Sequence, residues 1–154
     1  MSGGDWFIEI ISIKKNQLYW EELINFSKNC PWNPGKNLAT RMENNAFKEG
    51  EQIFAAVENE RVAGFCVFEE EGYIPPEYDY HPFINLVFVD EAYRGKRVSE
   101  KLIDEVLNYA KGLGLNKVYL KSEHRGLYEK YGFKKIADFS PIIGLADQIF
   151  EIDF

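Results

Sequence analysis

The chain reads Val89-Asp90-Glu91-Ala92-Tyr93-Arg94-Gly95-Lys96-Arg97-Val98-Ser99 between an apolar, strand-like run that starts at Phe83 and a segment with helical periodicity. The first turn of a helix carries amide N–H groups without an intrahelical partner, and the helix dipole places partial positive charge there. Arg94, Lys96 and Arg97 add cations at this turn, although the formal net charge of the chain is -7. This contrast predicts an anion site, suited to phosphate groups, between the strand and the helix.

The residues after the turn predict a helix from Val98 to about Gly112. Apolar residues recur there at roughly every fourth position, with others beside them: Val98, Leu102, Ile103, Val106, Leu107 and Ala110. Such a pattern gives the helix one apolar face, which packs on a sheet. Gly112 and Gly114 supply the stop, and a second strand-like run follows at 117–121.

Apolar runs predict strands, and helical spacing predicts helices, over most of the remaining chain. The predicted strands are 6–13, 53–57, 61–68, 83–89, 117–121, 133–139 and 148–153, and the predicted helices are 16–28, 37–48, 98–112 and 126–131. Pro75 and Pro76 make the connection 69–82 a loop. The order β-α-α-β-β-β-α-β-α-β-β predicts a mixed α/β sheet with helices on both faces. The chain shows no repeats or linkers, so one domain over residues 1–154 is expected.

Composition excludes several classes of function. A hydrophobic fraction of 45% is typical of a globular protein. The pI near 4.9 argues against nucleic acid as a partner, because nucleic-acid binding depends on cations that neutralise phosphates. The acidic balance favours a cationic small molecule or a basic peptide instead. No apolar run has the length of a membrane span, and the N-terminus lacks the features of a signal peptide, so we expect a cytoplasmic protein without a membrane partner.

Two further kinds of site are not expected. Cys30 and Cys66 are too few for a disulfide framework and have no metal-ligand spacing with His81 or His124, so we expect no metal site. Cys66 lies in a strand-like run, which indicates a buried apolar thiol rather than a nucleophile. The turn also lacks the glycine spacing of a nucleotide P-loop, which excludes hydrolysis of nucleoside triphosphates.

A second motif, Leu127-Tyr128-Glu129-Lys130-Tyr131-Gly132-Phe133, follows the basic turn. Together the two motifs resemble the GNAT N-acetyltransferase superfamily, whose members typically show a Val-x-Pro-x-Tyr-Arg-Gly-Lys-Gly-type loop and then a Leu-Tyr-Glu-Lys-x-Gly-Phe-type segment. The resemblance implies a mixed, mostly antiparallel sheet with helices on both faces. It also implies that two parallel strands, 83–89 and 117–121, splay apart around the acetyl-thioester arm of acetyl-CoA.

The resemblance assigns a set of residues to acetyl-CoA, the cosubstrate. The pyrophosphate is assigned to the turn and the pantetheine arm to the preceding strand, through Phe88, Val89, Arg94, Gly95, Lys96, Arg97, Val98 and Ser99. Arg97 stands where the family has its second glycine, and Ser99 stands where it has glycine or alanine. Arg97 therefore either turns its side chain outward to contact phosphate or lowers the affinity for the cofactor.

The resemblance also suggests catalytic residues. Tyr128 matches the family tyrosine that is proposed to protonate the departing thiolate; the alternative is a tyrosine that only packs the helix on the sheet. Family members that act on lysine often carry a glutamate at the position of Phe83, which cannot accept a proton. His81 and His124 are the candidates for a base, because a histidine titrates near neutral pH. Behind them lie further carboxylates: Glu77, Asp79 and Glu123.

These observations predict an acetyl-CoA-dependent N-acetyltransferase that acts on a primary amine of a small molecule or peptide, by direct transfer in a ternary complex. Carboxylates and tyrosines in the loop 69–82 are candidates to hold a cationic acceptor, or simply form a solvated loop. An alternative is an acyl-CoA-binding regulatory module without turnover, and a purely structural domain is a third reading. We also expect an edge strand at 148–153, through which a homodimer would form.

Overall fold

The computed structural model describes residues 7–142 and 145–154, and the side chains of these residues except at 140–146. Its strands are β1 (Glu9–Ile13), β2 (Gln52–Glu58), β3 (Arg61–Glu69), β4 (Phe83–Val89), β5 (Lys117–Ser122), β6 (Lys134–Ile142) and β7 (Leu145–Asp153). Its helices are α1 (Trp20–Lys28), α2 (Asn33–Glu43), α3 (Val98–Gly112) and α4 (Leu127–Lys130). The predicted order of strands and helices is confirmed. Trp6, at the start of the first predicted strand, lies outside the described residues.

The first two helices differ from the prediction in their bounds. Helix α1 starts at Trp20 rather than near residue 16, because Asn16 and Tyr19 both have left-handed backbone angles, with φ of 65° and 74°. Helix α2 starts at Asn33, earlier than predicted, with Pro34 in its first turn. Proline fits there because the first turn of a helix does not use its N–H groups. The segment that ends the first helix therefore also begins the second.

The seven strands form one sheet in the order β1-β2-β3-β4-β5-β7-β6. Strands β4 and β5 are parallel, with Phe83 opposite Tyr119, whereas β1 and β2, β5 and β7, and β6 and β7 pair in antiparallel fashion. The prediction of a mixed, mostly antiparallel sheet with one parallel pair is confirmed.

The expected edge strand at 148–153 is wrong. Strand β7 pairs with β5 on one side, where Lys117 is opposite Asp153, and with β6 on the other, where Lys134 is opposite Glu151. Its backbone hydrogen-bonding groups are therefore engaged on both sides, and this strand offers no open edge to a second copy of the chain.

The chain divides into two compact units. The first comprises the residues up to Val67 together with Leu86–Glu105, and the second comprises Phe68–Asn85 together with Val106–Phe154. The core of the first unit contains the buried faces of α1 and α2 and inner residues of four strands, β1 to β4, among them Leu23, Leu38, Ile53 and Phe65. A cluster of the second unit contains Phe83, Tyr119, Phe139 and Ile149.

Among residues 7–142 and 145–154, no helix is both long enough and apolar enough to cross a membrane.

Candidate active site

The basic turn of the first unit has the backbone conformation of a glycine-rich loop. A short 3₁₀ turn, Glu91–Tyr93, follows β4, and α3 then begins at Val98. Gly95 has a φ of 80° and Arg97 a φ of 61°, so both lie in the left-handed region that favours glycine. Arg97 thus keeps the backbone conformation of the glycine that it replaces.

The cationic side chains of the turn point to different places. The Arg94 Nε donates a hydrogen bond to the Val89 carbonyl at 3.1 Å, and its guanidinium carbon lies 5.9 Å from the centre of the Phe88 ring. Arg97 turns outward: 82% of its side chain is exposed, and its Nε lies 3.8 Å from Glu100 Oε1. The side chain of Arg97 is thus exposed to solvent, and a contact between it and phosphate stays a prediction.

Close approach of β3 fixes the end of β4. The Asp90 amide donates to the Ala63 carbonyl at 2.8 Å. A Cβ on Gly64 would lie only 2.5 Å from the Phe88 carbonyl oxygen, so the two strands approach each other more closely than any other residue would permit. Sequence reasoning missed Gly64; its only signal was a glycine inside an otherwise apolar strand.

Beside the same strand end lies a pocket of about 310 Å³. Its lining includes Phe26, Pro31, Arg61, Phe88, Asp90 and Tyr93. The Tyr93 hydroxyl donates to Glu58 Oε2 at 3.4 Å, and burial, together with the nearby Glu58 carboxylate, raises the pKa of Tyr93. Sequence reasoning did not find this pocket, because its lining residues come from three separate parts of the chain.

Tyr128 lies in the second unit, on the single turn of α4. It is only 5% exposed, and its ring packs against Tyr131, Phe133 and Phe150 at centroid distances of 5.9, 6.1 and 5.8 Å. The second motif of the sequence thus forms one helical turn whose tyrosine is anchored among aromatic rings.

His81 is engaged by the loop that precedes it. Its Nε2 lies 3.1 Å from Asp79 Oδ1, and its Nδ1 lies 3.2 Å from the Glu70 carbonyl and 3.7 Å from a Glu70 carboxylate oxygen. The hydrogen bond to the Glu70 backbone, followed by the one to Asp79, raises the pKa of His81. A raised pKa favours the protonated ring, which is a poorer proton acceptor at neutral pH.

His124 is held through its backbone. Its amide donates to Ser122 Oγ at 3.0 Å, and its carbonyl accepts from Gln148 Nε2 at 3.2 Å, while the residue is exposed. The contacts of His81 and His124 do not include Tyr128, so the structure does not bring the three predicted catalytic side chains into one hydrogen-bonded group.

Phe83 is fully buried, with its ring 5.8 Å from that of Tyr119. A buried carboxylate lies elsewhere in the second unit: Glu69, the last residue of β3, is 1% exposed and accepts a hydrogen bond of 2.6 Å from the Tyr73 hydroxyl. The Lys121 ammonium donates to the Tyr73 carbonyl at 3.1 Å, and burial lowers the pKa of Lys121. Sequence reasoning placed Glu69 among the carboxylates of a loop; its burial at the end of β3 was not predicted.

Two tyrosines of the loop 69–82 pack against each other and against strand β5. Tyr78 and Tyr80 stack at 6.2 Å, and the Tyr80 ring lies 4.8 Å from that of Tyr119. These aromatic rings contribute to a core of the second unit.

Cys66 is buried, as expected, and burial raises the pKa of its thiol well above the ordinary value. A raised pKa leaves little thiolate at neutral pH, which makes a covalent acyl-enzyme through Cys66 unfavourable.

The mixed sheet, its parallel β4–β5 pair and the basic turn before α3 define an α/β transferase of the acetyltransferase type. The model of the Acetyltransferase (GNAT) family matches residues 16–133. The chain therefore belongs to the GNAT acetyltransferase family, and membership implies acyl transfer from an acyl-CoA to an acceptor.

Solved structures share the fold. A GNAT-family acetyltransferase of Staphylococcus aureus Mu50 is 20% identical, with a TM-score of 0.65, over 96% of this chain and 99% of that one. A candidate phosphinothricin N-acetyltransferase is 25% identical, with a TM-score of 0.65, over 96% and 98%. The ribosomal-protein-S18-alanine N-acetyltransferase of Escherichia coli is 16% identical, with a TM-score of 0.65, over 96% and 94%. No curated protein matches the chain.

Proposed function

We propose that this protein transfers an acetyl group from acetyl-CoA to a primary amine of a small molecule or peptide, by direct transfer in a ternary complex. The observation that carries the proposal is the turn before α3, where both Gly95 and Arg97 hold a left-handed, glycine-type backbone. The left-handed backbone of Arg97 is a conformation that favours glycine, which supports a phosphate loop here despite the sequence departure. The whole of residues 1–154 serves this one activity.

The turn offers two kinds of group to the pyrophosphate of acetyl-CoA. The first amides of α3 lack intrahelical partners and carry the positive end of the helix dipole. Arg94, Lys96 and Arg97 add positive charge, and Ser99 lies within the first turn of the helix. Charge-assisted hydrogen bonds of this type are about twice as strong as neutral ones.

The pantetheine arm runs along the end of β4, beside the backbone of Phe88 and Val89. Two contacts support a fixed backbone there: the hydrogen bond from Arg94 to the Val89 carbonyl, and the close approach of Gly64 to the Phe88 carbonyl. A strand end held on both sides is pre-organised to position a thioester.

In the reaction, the amine nitrogen attacks the thioester carbonyl carbon, the new C–N bond forms and the C–S bond breaks. Tyr128 gives its phenolic proton to the departing thiolate, because a phenol is protonated at neutral pH and close in acidity to a thiol. Its anchoring by three aromatic rings supports a fixed position for the hydroxyl.

The proton that leaves the amine goes to a histidine or to water. His124 is the better candidate, because its hydrogen bonds run through its backbone, whereas the ring of His81 already faces Asp79 and Glu70. An amine that reaches the site in its neutral form needs no named base beyond solvent.

One observation favours the alternative, an acyl-CoA-binding module without turnover. The position where lysine-acetylating family members often carry a glutamate is Phe83, which is buried in an aromatic cluster. Release of free thiol from acetyl-CoA, measured with a panel of amines, separates the two functions.

We expect amine-dependent thiol release that falls about tenfold to a hundredfold in Tyr128→Phe, because removing a proton donor commonly costs a rate factor of that order or more. Tyr131→Phe is the matched control, since Tyr131 belongs to the same aromatic cluster. Micromolar acetyl-CoA binding without turnover, unchanged by Tyr128→Phe, would instead support the binding module, and no binding at all would contradict both functions.

A further inference from the structure

The pocket beside β4 shares its wall with the proposed cofactor site. Phe88, Asp90 and Tyr93 line the pocket, and they belong to the same segment that ends in the basic turn. A molecule in this pocket therefore lies next to the strand end that is proposed to hold the thioester arm.

One side of the pocket is aromatic and apolar. The rings of Phe26 and Phe88, both lining residues, lie 6.0 Å apart. Pro31 and Val62 extend the apolar surface of the lining. This wall suits an apolar or aromatic side chain.

The lining also includes two residues of opposite charge, Asp90 and Arg61. Within the described part of the chain, these two side chains form no ion pair with each other. An ammonium group matches the carboxylate, and a carboxylate matches the guanidinium, which binds it in bidentate fashion.

We propose that this pocket binds the acceptor as a small zwitterion, an α-amino acid with an apolar or aromatic side chain, and the proposal rests on the function proposed above. The ammonium pairs with Asp90, the carboxylate pairs with Arg61, and the side chain packs on Phe26 and Phe88. Before attack the ammonium loses one proton to solvent or to the base. Its nitrogen then forms the C–N bond as the C–S bond breaks, and it gives its second proton to the base or to solvent. The departing thiolate takes the phenolic proton of Tyr128, which solvent then replaces.

The size of the pocket supports a small acceptor. A volume of about 310 Å³ lies at the lower end of the range for ligand pockets, which is about 300 to 1,000 Å³. A single amino acid fits this space.

The proposal is tested by calorimetric titration of the full chain, saturated with an acetyl-CoA analogue that cannot react. The titration measures the affinity of the protein for three probes first. These are L-phenylalanine, phenethylamine, which lacks the carboxylate, and 3-phenylpropanoate, which lacks the amine. We expect L-phenylalanine to bind at least about tenfold more tightly than either of the others, because a hydrogen bond to a charged group contributes about 1.5 to 3 kcal/mol. L-Phenylalaninamide is a fourth probe and is expected to behave like phenethylamine.

Two variants test which charged residue of the pocket binds which charged group of the ligand. We expect Arg61→Gln to abolish the preference for L-phenylalanine over phenethylamine, and Asp90→Asn to abolish the preference over 3-phenylpropanoate. Lys48→Gln and Glu49→Gln are matched controls, because they remove the same charges from exposed residues beyond α2. The controls are expected to keep both preferences, and circular dichroism confirms that each variant is folded.

The outcomes separate this proposal from the proposed function. Equal binding of phenethylamine or L-phenylalaninamide would overturn the assignment to a zwitterion, whether or not the protein turns over. Acetyl-CoA binding and thiol release with other amines, but no binding of L-phenylalanine, would overturn the pocket proposal and leave the acetyltransferase intact. Binding of L-phenylalanine with both variant effects, but no thiol release, would support the pocket and contradict catalysis.

Discussion

Charged residues are used in opposite ways in the basic turn 90–99 and in the acidic loop 69–82. In the turn, the side chain of Arg97 is exposed, and the backbone of Gly95 and Arg97 lies in the left-handed region. In the loop, Glu69 is buried and bonded to Tyr73, and the His81 ring faces Asp79 and Glu70. A cluster of charge in the sequence therefore does not by itself reveal its use: the charges of the acidic loop form internal contacts, whereas Arg97 of the basic turn is exposed.

The largest expected effect tests the basic turn. Arg94→Gln combined with Arg97→Gln should weaken acetyl-CoA binding about a hundredfold, because two charge-assisted contacts to phosphate are lost. Calorimetric titration measures the change. Lys14→Gln with Lys15→Gln removes the same charge from exposed residues and should leave affinity almost unchanged. Equal weakening by both double variants would mean that net charge, and not the turn, governs binding.

The next effect tests the acidic loop. Glu69→Ala should lower the free energy of unfolding by about 2 kcal/mol, because it leaves the Tyr73 hydroxyl and the half-buried Lys121 without this carboxylate. Urea denaturation measures the loss. Glu71→Ala, at an exposed neighbour, should have almost no effect. If the two variants are equally stable, the loop does not use Glu69 as an internal contact.

A smaller effect separates shape from charge at Arg97. Arg97→Val should lower stability by about 1 kcal/mol or more, because a β-branched residue is strained at a φ of 61°. Arg97→Gly removes the same charge and relieves that strain, so it should be at least as stable as the parent. Arg97→Gly should also bind acetyl-CoA more tightly than Arg97→Val, and calorimetric titration measures this difference. Equal stability and equal acetyl-CoA affinity of the two variants would contradict the need for a left-handed backbone at residue 97.

The smallest effect depends on pH. Because the pKa of His81 is raised in the folded protein, its contribution to stability is complete below the unfolded pKa of about 6.5 and is lost as pH rises through the folded value. His81→Gln should therefore reduce stability more at about pH 5.5 than at about pH 8. The difference should stay below about 1 kcal/mol, because His81 is largely exposed. A larger loss of stability at about pH 8 than at about pH 5.5 would contradict a raised pKa of His81 in the folded protein.

Much of the fold was predictable because local patterns dominate it. The apolar spacing of α3 predicted its bounds correctly, from Val98 to Gly112. The apolar runs predicted the order of the strands along the chain, but not their order in the sheet. The basic turn was also found from sequence, since its glycine and cations are contiguous. The bounds of α2 differ from the predicted 37–48: the helix runs from Asn33 to Glu43, with Pro34 in its first turn.

The amino-acid sequence by itself determined the elements, the family motifs and the basic turn, because each depends on residues that are close along the chain. Tertiary structure alone placed β7 between β5 and β6, buried Glu69 against Tyr73, and assembled the pocket of Arg61 and Asp90. These features join residues that are distant in sequence, and neither periodicity nor composition records which distant groups meet. Arg97 shows both kinds of information. The sequence motif indicated its position in the turn, whereas only the folded chain shows its left-handed backbone conformation.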